Sequence, residues 1–137
     1  MNEEKTLEYV RYYCEKEGKS LTRLAEECGY QPNTFYNWFS QKTRMTLDGL
    51  QTILNTFDQQ AVVRDKDGKF HFDILPWMGK AYRENEKWVL ALFEKPRYAK
   101  NNIRMWERHE RGIKLYILID ILSVLGAELM IVKKARK

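Results

Sequence analysis

Arg104 and Arg108 stand one helical turn apart in "NNIRMWERHERGIKL", residues 101–115, on either side of Trp106. Guanidinium groups at that spacing on one helix face can pair with guanine edges or with phosphates. An earlier stretch, "NTFYNWFSQKTRMTL", residues 33–47, offers amides instead, and with Gln31 before it supplies Gln31, Asn33 and Asn37. Asn and Gln can pair bidentately with adenine. Catalytic chemistry is not evident. His71 and His109 have no nucleophile or carboxylate at motif spacing, and no P-loop or dinucleotide fingerprint is present. The "DKDG" at 65–68 lacks the Glu that would complete a calcium loop, and reads as a hairpin turn. Cys14 and Cys28 lack metal-ligand neighbours at useful spacing and read as free cytosolic thiols. Neither an enzymatic activity nor a cofactor or metal is expected.

The two stretches share an order of residues: Asn, a bulky apolar residue, Trp, a basic run, Leu. Trp38 and Trp106 lie 68 positions apart. At that offset Lys19 meets Lys87, Leu24 meets Leu92, Tyr30 meets Tyr98 and Asn33 meets Asn101. Leu47, Leu50, Ile53 and Leu54 meet Leu115, Leu118, Ile121 and Leu122. No gap is needed from Lys19 to Val63. The agreement falls mainly on apolar positions at helical spacing, where a shared core would require it. One structural unit used twice is the expectation.

Helices must position these residues. Leu7, Val10 and Cys14 share one face of a helix over about 3–17, stopped by Gly18. Ser20 is placed to cap a short helix through Cys28, and Gly29 to end it. Pro32 suits the first turn of the next helix, because its missing N–H has no intrahelical partner there. That helix buries Phe35 and Trp38 and leaves Gln31, Asn33, Tyr36, Asn37 and Ser40 on its free side. Thr46 caps another, with Leu47, Leu50, Ile53, Leu54 and Phe57 turned inward. "AVVRDKDGKFHFDI" alternates and turns at Asp67-Gly68, a hairpin signal.

Short helix, glycine turn, short helix is a helix-turn-helix arrangement. "SLTRLAEECGYQPNTFYNWFSQKTRMTLDGL" resembles the lambda-repressor-like (Cro/repressor, xenobiotic-response-element) family over residues 3–58, through Leu24-Ala25, Gly29, Phe35, Trp38, Lys42, Arg44 and the Thr46–Leu47–Leu50 helix start. "IRMWERHERGIKLYILIDILSVLGAELMIV" resembles the latter half of the same family. The departures are Phe39 where the family usually has Glu, restored as Glu107, and Gln41 and His109 in place of the turn Gly. Pro96 and Arg97 replace Cys28 and Gly29, so an irregular turn is expected in the second unit, after a short, weak first helix near "PWMGKAYREN".

The resemblance implies a mainly α fold: a first helix-turn-helix unit at 1–60, a β-hairpin linker at 61–75, and a second, degenerate unit at 76–137 whose strand "ELMIV" joins the hairpin in a small sheet. It implies a sequence-specific, DNA-binding transcriptional regulator of prokaryotic or phage type, a repressor for example. The contacts to double-stranded DNA would come from Gln31, Asn33, Tyr36, Asn37 and Ser40, with Lys42 and Arg44 on phosphates. In the second unit the same positions are Ala99, Asn101, Arg104, Met105 and Arg108, with Lys100 beside them and Arg97, Arg111 and Lys114 on the rim. Asn33 and Asn101 have a plainer alternative role as helix caps. Small phage-type proteins with this fold can also inhibit host or defence machinery, anti-CRISPR proteins among them. Here that rival, a protein target, would use Phe35, Tyr36, Trp38 and Phe39.

Charge sharpens the division. The 137-residue chain carries +5 overall. Residues 1–74 hold ten basic and twelve acidic side chains, and residues 75–137 hold fourteen and seven. The basic half is the candidate polyanion surface. Residues 1–20 have no apolar signal core, and Lys114, Asp120 and Glu128 interrupt the apolar run Ile113–Val132, so a cytoplasmic chain without a membrane span is expected. The helix from Leu115 is apolar nearly all round through Tyr116, Ile117, Ile119 and Val124. Such a helix is normally covered on every side, which predicts an interface, either between the two units or, the favoured reading, in a homodimer.

Overall fold

The computed structural model describes residues 1–134. Eight helices and a three-stranded antiparallel sheet make up the fold: α1 Glu3–Lys16, α2 Leu21–Cys28, α3 Pro32–Phe39, α4 Leu47–Thr56, β1 Gln59–Arg64, β2 Phe70–His71, α5 Ile74–Glu84, α6 Glu86–Leu90, α7 Pro96–Glu107, α8 Leu115–Val124 and β3 Glu128–Lys133. The expectation of a mainly α chain with a small sheet holds. β1 lies in the middle, with β2 on one side and β3 on the other.

The helix ends follow the local chemistry. Asn2, Ser20 and Thr46 accept hydrogen bonds from Lys5, Arg23 and Gly49 N–H groups, satisfying donors that have no intrahelical partner. Gly29 ends α2 in the left-handed conformation, where its N–H and that of Tyr30 close back on α2 carbonyls. Pro32 and Pro96 open α3 and α7. Neither Asn33 nor Asn101 caps a helix: the residues before α3 and α7 are Gln31 and Lys95, which make no side-chain cap.

The 68-residue offset runs through this architecture. It carries α4 onto α8 end to end, and the last residue of α1 onto the last of α5. Gln41 and His109 both have positive φ, 62° and 59°, in the turns after α3 and α7, and Asp58 and Gly126 do likewise at 58° and 71°. Two contacts join a residue to its own counterpart. Thr46 and Lys114 form an isolated antiparallel bridge, in which Leu47 N–H donates to Ile113 C=O at 3.0 Å and Leu115 N–H to Met45 C=O at 2.8 Å. Val62 pairs with Met130 at the centre of the β1–β3 register. Antiparallel pairing of counterparts is what a local two-fold axis produces. Clefts of about 400 and 380 Å³ also occupy equivalent places, the first walled by Ala81, Glu84 and Gly126, the second by Tyr13, Lys16 and Asp58.

One continuous core crosses the axis, from Leu7, Leu24 and Phe35 to Ile103, Leu118 and Leu129. Ile117 and Ile119 pack against it from α8. The extra apolar side of α8 is thus partly taken up inside the chain, while Tyr116 and Val124 keep more than a third of their surface. The second half departs in two ways. The helix expected to be short and weak is α5, which has eleven residues and buries Ile74, Leu75, Met78 and Tyr82 on one face; its first two residues fall within the expected linker 61–75. α6 is only five residues long, and α7 starts a turn earlier than the offset from α3 would place it. In consequence Leu92 and Tyr98 are exposed, whereas Leu24 is buried and Tyr30 packs against the core. Positions 135–137 of the expected second unit lie outside the described residues.

Candidate nucleic-acid interface

α7 is amphipathic. Ala99, Ile103 and Trp106 are buried on its inner side, and Trp106 is 5% exposed. Arg97, Lys100, Asn101, Arg104 and Arg108 are all exposed, and recur at helical spacing along one outer stripe. The side chains of Arg97, Arg104 and Arg108 have no hydrogen-bond or ion-pair partner among the described residues. Lys100 pairs with Glu86 at 3.1 Å, and Arg111 donates to Asn102 Oδ1 at 3.0 Å. Two residues placed on this face from sequence do not lie on it freely: Ala99 is buried, sharing the inner face of α7 with Ile103 and Trp106 at i+4 and i+7, and Met105 is half-buried.

α3 is held more heavily. Phe35 stacks on Trp38 at 5.3 Å, and Tyr30 meets Trp38 edge-on at 5.2 Å. Gly49 leaves room for the indole: a Cβ there would lie 2.5 Å from Trp38 Cη2. The outer side presents Gln31, Asn33, Tyr36 and Ser40, with Asn37 half-buried. Tyr36 shares a 2.9 Å hydrogen bond with Thr22, which fixes its ring beside α2. Phe39 is buried, with Arg11 over its ring at 5.5 Å and donating to its carbonyl at 3.0 Å.

The basic turn after α3 is divided. Lys42 is exposed without a partner among the described residues. Arg44, expected on phosphate, forms an ion pair with Glu3 at 2.9 Å and lies over the Tyr116 ring at 4.5 Å. It therefore ties α1, the α3–α4 turn and α8 together. Lys114 is exposed and donates to the Arg44 carbonyl at 3.4 Å.

Sequence reasoning missed three things here. Gln51 of α4 accepts from Ala61 N–H at 2.8 Å and donates to Ala61 C=O at 3.0 Å, filling the β1 edge beside β2. Arg83 of α5 grips both oxygens of Glu107 at 2.8 and 2.9 Å, and Gly79 leaves the space this carboxylate occupies. Beside that pair lies a cleft of about 340 Å³ between α5 and α7. Partners so far apart in the chain leave no local signal. The glycine inside α5 was the one legible hint of a close approach.

The described residues include no group of His, Cys, Asp and Glu side chains suited to a metal, and no helix among them is long and apolar enough to cross a membrane. Comparison with family models, curated proteins and solved structures finds no match to the chain.

Proposed function

We propose that the chain is a sequence-specific, double-stranded DNA-binding regulator of the helix-turn-helix type, with the reading helices α3 and α7 supplied by two fused units. The carrying observation is α7. A buried Trp106 pins its inner side, and a row of exposed, uncompensated arginines runs along its outer side. Such a helix can lie in a major groove with guanidinium groups on base edges and phosphates. The local two-fold supports a further reading: one chain presents two unlike faces, as a dimer presents two like ones. α3 offers amides and Tyr36, and α7 offers arginines, so the site on DNA is asymmetric. Because α8 is partly covered within the chain, this reading needs no second copy; a homodimer would use the remaining Tyr116 and Val124 surface.

The rival, a protein-binding inhibitor, rests on the net acidic charge of the first half and on an aromatic patch at α3. Phe35, Trp38 and Phe39 are buried, which leaves only Tyr36 of that set on the surface. This favours DNA. Selection from random duplexes at two salt concentrations tests the proposal. Enrichment of a common sequence is expected, with affinity falling steeply as salt rises. A steep salt slope with no enriched sequence would reduce the chain to a nonspecific polyanion binder, and no binding at either salt would turn attention to a protein partner.

A further inference from the structure

The cleft between α5 and α7 has properties the proposed DNA face does not use. Its volume, about 340 Å³, falls in the range of small-molecule sites. Its walls are largely hydrocarbon, with Ile103 and Tyr82 contributing the inner surface. Tyr82 is 6% exposed, and its buried hydroxyl has no hydrogen-bond partner among the described residues. A buried donor left unpaired costs about 1–3 kcal/mol, so an entering oxygen acceptor would be favoured.

Charges at the mouth are unequal. Arg83 is matched by Glu107 and Lys100 by Glu86. Arg104, which also lines the cleft, is matched by nothing among the described residues. One cation is left over beside an apolar space. The first half is built differently at the equivalent place. The counterparts of Tyr82, Ile103 and Glu107 are Cys14, Phe35 and Phe39, which are buried in a packed cluster. Ile103 and Glu107 replace two phenyl rings and Tyr82 replaces a thiol, so the bulk is redistributed and a polar group enters at Glu107, while Arg104 stands where Tyr36 finds Thr22. The position matching Thr22 is Leu90, which offers no polar group.

We propose that this cleft binds a small organic anion, an aromatic or alicyclic monocarboxylate, with one carboxylate oxygen on Arg104, the other accepting from the Tyr82 hydroxyl, and the ring against Ile103. Burial, and then the charge of Glu86, push the Tyr82 phenol above its ordinary value. Lys100, Asn101 and Arg104 belong to both the cleft and the outer stripe of α7. An anion seated there withdraws Arg104 from DNA and weakens duplex binding. That coupling rests on the DNA-binding reading; the site itself does not.

The test uses the full chain without DNA, titrated at constant ionic strength with benzoate, cyclohexanecarboxylate, benzyl alcohol and inorganic phosphate, and followed by amide and methyl NMR shifts. Both carboxylates should saturate with a dissociation constant of about 0.1–1 mM, with shifts centred on Tyr82, Ile103 and Arg104. Benzyl alcohol and phosphate should bind at least about tenfold more weakly, as should benzoate to Arg104→Gln. Tyr82→Phe, which keeps the ring, should weaken benzoate several-fold. Failure of the carboxylates to saturate, equal binding of the alcohol, or an unaffected Arg104→Gln overturns the site. A second titration, with a selected duplex present, reads the coupling. Benzoate that binds the chain yet leaves duplex affinity unchanged overturns the coupling alone. If no duplex is ever selected, the DNA reading fails while the first titration still decides the site.

Discussion

Trp38 and Gly49 make one packing unit. A methyl group at Gly49 would overlap the indole, which is buried and has no room to retreat. Gly49→Ala should therefore lower the unfolding free energy by about 1–3 kcal/mol in denaturant titrations. Gly112→Ala meets nothing nearer than 3.9 Å and should change it by less than about 0.5 kcal/mol. The thiols are a second residue-scale case. Burial, chiefly, pushes Cys28 up to about 11 and also raises Cys14. Alkylation of Cys28 in the native chain should be slow at pH 7–8 and quicken toward pH 11; rapid labelling at pH 7 would contradict this assignment. At this scale the buried tryptophans and the exposed arginines of α7 were legible from helical spacing alone. Arg44 was not, because Glu3 and Tyr116, which claim it, lie far from it in the chain.

Among the elements, β1 shows how a strand edge is completed by a side chain. Gln51 meets both backbone groups of Ala61, a residue with no exposed surface. Gln51→Leu leaves that N–H and C=O unsatisfied and should cost about 2–4 kcal/mol in chemical denaturation. The β1–β2 hairpin carries a pH response. Asp65 bonds His71 at 2.7 Å, and His71 stacks on Trp77 of α5 at 5.1 Å. The hydrogen bond from His71, opposed by desolvation and aided by the N–H groups of Lys69 and Asp67, holds the Asp65 carboxyl below its ordinary value. A depressed folded value means stabilisation present above the unfolded value of about 3.9 and lost as pH falls through the folded one. Asp65→Asn should remove this part of the acid response, read from the His71 and Trp77 ring resonances. The helix caps and the hairpin were readable because their causes are local: Ser20, Thr46, Gly29 and Asp67-Gly68. The early start of α7 and the full length of α5 were not. The local signal for the first, Pro96, reads from sequence as part of an irregular turn, whereas the Arg83–Glu107 pair that joins α5 to α7 lies in no short window of sequence.

Over the whole molecule, the two halves meet through counterparts, at Thr46–Lys114 and at Val62–Met130. The offset was visible in the sequence as matched apolar positions. The axis relating the halves was not, since side-chain pattern says nothing of which edges pair. With the axis in place, the positive charge lies in the second half, which carries +7 against −2 in the first, and Arg97, Lys100, Arg104 and Arg108 display part of it along the outer side of α7. A single chain should then occupy one asymmetric DNA site, and native mass spectrometry of the complex should give one chain per duplex. The most direct measurement is anisotropy of a selected, labelled duplex against the native chain and Arg104→Glu/Arg108→Glu. The double reversal should weaken binding at least about a hundredfold and flatten its salt dependence, with thermal stability unchanged. An affinity and salt slope equal to those of the native chain would contradict the assignment of α7 as the reading helix.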